Sequence, residues 1–215
     1  MQSKPLTFDY GVHFNTILYP ISIIEMTNSL EKIGYELSPS IPFPRPVGRL
    51  LGAGEIARKG KTVVHIDSGA QLLLVTDVSI KSALNSFDEI IATFSEDHRI
   101  DLGNLVRFYR FTATFEVWTK KKALETIAKN LKAPIQEEFE GILGEEIWPA
   151  EIKFAGAGLE ANSENWFDIA IRPSYERNDL YVVSIIYRNT DKEKTLGFLR
   201  TLEEKVVKIA ECIDR

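Results

Sequence analysis

An α+β fold is predicted by the sequence: two βαβββα halves, residues 1–104 and 105–215, that form a curved antiparallel sheet with helices on one face. Three observations predict it. Residues 106–118 alternate Phe111, Ala113, Phe115 and Val117 with Arg110, Thr112, Thr114 and Glu116, the period of a strand buried on one side. Short apolar runs before and after it are separated by glycine-bearing turns, as in a meander. Between them lie segments whose apolar residues recur at steps of three and four, the spacing of a helix with one buried stripe.

The first half opens with a strand over residues 10–19, rich in β-branched and aromatic side chains and stopped by Pro20. A helix follows over 21–33, with Ile23, Met26, Leu30 and Ile33 on one face and Gly34 where a C-terminal cap belongs. Residues 38–46, with four prolines, predict a stiff extended crossing. Strands at 49–57, 62–67 and 71–78 are separated by Lys59-Gly60 and Ser68-Gly69. A helix over 80–94 then carries Leu84, Phe87, Ile90, Ile91 and Phe94.

The second half repeats this order. After the strand at 106–118 comes a helix with Leu124, Ile127 and Leu131 that ends before Pro134, and then an acidic crossing, "QEEFEGILGEEIWP". Strands at 152–160, 166–172 and 180–188 lead to one long amphipathic helix over 191–213, capped by Thr190 or Asp191.

Landmarks of the halves can be laid over each other. Ile23, Met26 and Leu30 fall on Leu124, Ile127 and Leu131 at a separation of 101 residues, and Leu84, Phe87, Ile90 and Phe94 fall on Leu196, Leu199, Leu202 and Val206 at 112. Gly52-Ala53-Gly54 falls on Gly156-Ala157-Gly158 at 104. Such a pattern predicts a duplicated fold of paired half-domains in one compact unit. The element order resembles the layout of TBP-like folds, in which two such halves join around a pseudo-two-fold. No sequence motif of the TATA-binding family accompanies it, so the resemblance implies a fold and carries no DNA-binding function.

Composition narrows the function classes. A formal net charge of −5 supplies no overall field for nucleic acid or anionic lipid, and no apolar run is long enough to span a bilayer. The one cysteine, Cys212, rules out an intramolecular disulfide and a cysteine-based zinc site, and fits the reducing cytoplasm; its place near an apolar stripe predicts a structural residue.

The stretch "RLLGAGEIARKGKTVVHID" has the glycines and the Gly60-Lys61-Thr62 ending of a phosphate loop, but not its spacing. Glu55 stands where the first glycine belongs, and a strand rather than a helix follows Thr62. The expectation is a hairpin, with no cofactor and no metal. The three histidines leave one enzymatic alternative, a site built from His13, His65 and Asp67, which requires those side chains to converge.

The face turned away from the helices is the more informative surface. Arg110, Thr112, Thr114, Lys153, Trp166, Asp168 and Arg172 fall there by alternation, mixing charge with an aromatic. The reading is a non-catalytic binding protein that holds a protein or small ligand on this face; nucleic-acid binding through the same face is the alternative, opposed by net charge. The C-terminal stripe Leu199, Leu202, Val206, Ile209 and Ile213 would serve core packing or a homodimer contact.

Overall fold

The computed structural model describes residues 1–17, 19–39, 53–130, 134–158, 160 and 162–214. Among the described residues, nine strands form one sheet: β1 (Gln2–Phe14), β2 (Glu36–Leu37), β3 (Ala53–Lys59), β4 (Thr62–Asp67), β5 (Leu72–Asp77), β6 (Val106–Trp118), β7 (Ile152–Ala155), β8 (Trp166–Pro173) and β9 (Leu180–Asn189). The helices are α1 (Ile23–Lys32), α2 (Ile80–His98), α3 (Ala123–Asn130), α4 (Pro134–Leu143), α5 (Lys192–Leu199) and α6 (Leu202–Ile213).

The sheet is curved and antiparallel throughout, in the order β2-β3-β4-β5-β1-β6-β9-β8-β7. Apart from the two-residue β2, this order is a palindrome of the two halves about the β1/β6 junction. The register sharpens that symmetry. Tyr10 pairs with Phe111, Asp9 with Thr112 and Gly11 with Arg110, so a pseudo-two-fold axis passes through the Tyr10/Phe111 pair. Val75 beside Tyr10 then corresponds to Tyr187 beside Phe111. The strand separations of 101 and 112 are the same as those of the helix landmarks.

The Gly-Ala-Gly pair does not follow this register. Ala57 pairs with Val64, whose counterpart Phe167 accepts a hydrogen bond from the Gly156 amide, so Gly156 takes the place of Ala57. Gly52 itself lies outside the described residues, as do residues 40–46 of the proline-rich crossing, the start of the expected strand at 49–57, and Leu131.

Local chemistry explains the helix ends. Ser22 and Glu25 form a reciprocal capping box on α1, and Gly34 at φ +84° closes its C-terminal end. Asp191 caps α5, accepting from the amides of Glu193 at 2.8 Å and Lys194 at 3.2 Å. Thr62 donates to the buried Asp77 carboxylate at 2.6 Å, and Gly60 takes the left-handed turn at φ +62°. The Gly-Lys-Thr ending is therefore a hairpin turn leading into a buried strand hydroxyl.

The core lies between one sheet face and the helices. Phe8, Tyr10, Val12 and Phe14 of β1 and Phe111, Ala113, Phe115 and Val117 of β6 face it, all buried. Tyr10 meets Phe87 of α2 edge-on at 4.9 Å, and Tyr187 meets Phe198 of α5 at 4.6 Å, so each half is closed by its own helix. Among the described residues, no helix is long and apolar enough to cross a membrane.

Several expectations change. The first strand starts at Gln2 and ends at Phe14, because its long pairing with β6 extends it through residues of weak strand pattern. The strand at 152–160 stops at Ala155, before a turn at Ala157-Gly158. The acidic crossing contains α4, whose Phe139, Ile142 and Leu143 are exposed. Leu124 is exposed while Ala123, Thr126 and Ile127 are buried. The single C-terminal helix is broken at Arg200-Thr201, where Thr201 has left helical geometry, and Gly197 weakens the segment before it. Leu199, Leu202 and Val206 are buried within the chain; Cys212 is exposed, contrary to its expected structural place.

Candidate ligand-binding face

The seven residues assigned to the outer face do share it, because their register keeps them in phase. Thr112, Ile186 and Asp168 form one transverse row with Asp9; Thr114, Ser184, Ala170 and Lys153 form the next; Arg172 and Val182 lie beyond, opposite Glu116. Trp166 pairs with Arg188, which pairs with Arg110, and Gly11 and Leu74 extend that row into the first half. None of these side chains belongs to the core cluster beneath the helices.

The row places two arginines directly opposite each other on β6 and β9. Directly opposed residues have Cβ atoms about 5 Å apart, a distance at which like charges repel. Both guanidinium groups are held below the ordinary arginine range, Arg110 by burial against the opposing effect of Asp9, and Arg188 by burial and then by Arg110, against Asp168. The Arg110 Nε is buried without a hydrogen-bond partner among the described residues, and its Nη2 reaches the Thr112 hydroxyl at 3.4 Å.

Aromatic rings frame the pair. The Arg188 guanidinium lies 5.7 Å from the Phe108 ring centroid and 6.0 Å from that of Trp166. His13 stacks on Phe108 at 4.3 Å, and its Nδ1–H donates to the Ala70 carbonyl at 3.0 Å. The nearby acids have other partners: Asp9 accepts from Thr76 at 2.7 Å, while Asp168 accepts from the Trp166 indole at 3.1 Å and meets Lys153 at 3.7 Å.

Of the candidates, Arg110, Thr112, Trp166 and Asp168 are therefore gathered at one patch, with Lys153 at its border. Thr114 bonds instead with Ser184 at 3.3 Å, and Arg172 stacks on the exposed Tyr175 at 5.0 Å. Sequence reasoning did not include Arg188, Phe108 or His13 in this patch. The signal for Arg188 was present in the alternation Ser184, Ile186, Arg188 of β9.

The enzymatic alternative does not assemble. His13, His65 and Asp67 lie on the same face, but β5 separates β1 from β4, which puts His13 roughly 10 Å from the other strand at ~4.8 Å per step. Among the described residues, no group of three or more His, Cys, Asp or Glu side chains could hold a metal ion. On the helix side, Ser29 lies 2.6 Å from Asp97 and 3.1 Å from His98. Its buried hydroxyl donates to the carboxylate, so the cluster fastens α1 to α2 rather than presenting a nucleophile. A cavity of about 550 Å³ lies at the far end of β6, between Trp118, Lys121 and Asp214, away from the arginines.

No protein-family model matches the chain, and no curated protein does. Among solved structures the chain is similar to the Methanococcus jannaschii TBP, with 13% identity and a TM-score of 0.39 over 99% of this chain and 96% of that one. A likeness at that score lends nothing to function; the architecture stands on the strand order and register.

Proposed function

We propose that the chain is a binding module that receives its ligand on the sheet face opposite the core, at the patch around Arg110 and Arg188. The observation that carries this reading is the like-charged cross-strand pair, with Phe108 and Trp166 beside Arg188. Two guanidinium groups held together at some cost on a strand face are a poor way to stabilise a sheet and a good way to hold an anion. Nucleic acid is the weaker occupant, because the net charge is −5 and Asp9 and Asp168 stand on the same face.

The test is a fragment screen, with neutral and charged members, read by amide and side-chain NMR shifts. The reading expects hits that move Thr112, Ile186, Asp168 and the Trp166 indole. Hits that map only to the helices, or no hits at all, would end it.

A further inference from the structure

Resting on that reading, we infer that Arg110 and Arg188 together take the dianionic phosphate of a small phosphate monoester. Two adjacent cations with restricted hydration are matched by a dianion, whereas a carboxylate or a phosphodiester offsets only one of them. The Thr112 hydroxyl, which accepts from Arg110 Nη2, adds a group that can donate to a phosphoryl oxygen.

The organic part of the ligand has a place as well. Trp166 borders the arginine pair from β8, and a ring or short chain esterified to the phosphate would lie along it. The two neighbouring carboxylates confer selectivity. Asp9, bonded to Thr76, and Asp168, bonded to Trp166, would oppose a long polyanion that had to cross the face.

The experiment titrates phenyl phosphate, inorganic phosphate, acetate, phenol and a short oligothymidylate into the labelled full chain. It follows the Nε–H signals of Arg110 and Arg188 and the Trp166 indole. Phenyl phosphate should bind at both arginines and Trp166, inorganic phosphate at the arginines alone, and acetate about tenfold more weakly than either. Arg110→Gln should weaken phenyl phosphate about tenfold or more, Arg110→Lys should restore part of the loss, and Arg177→Gln on a distant loop should change nothing. Because the wild-type signals report binding directly, a variant that fails to fold does not remove the test. No arginine shift at millimolar phosphate overturns the inference, as does equal affinity for acetate or preferential binding of the oligonucleotide. If neutral phenol binds the face while phosphates do not, the dianion assignment falls and the broader binding reading survives.

Discussion

Asp9 and Arg110 occupy equivalent positions in the two halves of the sheet, related by the axis through Tyr10 and Phe111, and carry opposite charges. Their neighbours diverge in the same way: Thr76 beside Asp9 corresponds to Arg188 beside Arg110. In the first half the acid is satisfied by a 2.7 Å bond from the Thr76 hydroxyl; in the second, two cations face each other. A symmetric backbone thus presents an asymmetric surface, and a ligand drawn to the cations lies over the second half.

Gly11 admits no side chain. A Cβ there would stand 2.1 Å from the Leu73 carbonyl oxygen and 2.9 Å from the Leu74 Cα, so β1 and β5 would have to separate. Gly11→Ala should cost about 1–3 kcal/mol, measured by denaturant unfolding.

His13 should titrate far below an ordinary imidazole. Burial, aided by Arg110, Arg188 and Arg107, lowers it from 6.5 to about 4, against the bond to the Ala70 carbonyl. The unfolded chain therefore binds this proton more readily than the folded one between those values. The stabilisation from neutral His13 is complete above pH 6.5, is lost progressively as pH falls to about 4, and changes no further below that. NMR titration should find a midpoint near 4, and His13→Gln should flatten the stability slope in that interval.

Thr62→Val should destabilise by about 1–3 kcal/mol, because the buried Asp77 loses its 2.6 Å donor while keeping the Ser79 amide. Thr62→Ser should retain most of the stability. A larger loss from Thr62→Ser than from Thr62→Val in a thermal melt would mean that the methyl group, not the hydrogen bond, matters there.

The C-terminal turn is tied down by Asp214, which accepts from Tyr181 at 2.7 Å and from the Thr119 hydroxyl. Asp214→Ala should cost about 1–3 kcal/mol and speed amide exchange at the end of α6 before the rest of the sheet. Uniform exchange along the chain would show instead that this turn opens only with global unfolding.

How much of this was legible depended on whether the signal was local. The bounds of β6 and β4 were readable because β4 alternates strictly and β6 does so from Phe111 to Trp118. The Asp191 cap was readable because it is a short-range hydrogen bond. Helix α4 was hidden by its acids, and Phe139, Ile142 and Leu143 are exposed, so no core gave their period meaning. Arg110 and Asp168 could be assigned to a face from their own strands, but the opposition of Arg110 to Arg188 depends on β9 pairing with β6 from 78 residues away. His13 looked like a partner for His65 because β5, the strand between them, sets a distance that composition does not encode.

The most direct test of the anion site compares phenyl phosphate affinity in Asp9→Asn, Arg110→Gln and the unmodified chain by isothermal titration. Removing the acid beside Arg110 should tighten binding several-fold, and removing Arg110 should weaken it about tenfold or more. Unchanged affinity in both variants would contradict the assignment of the phosphate to this arginine pair.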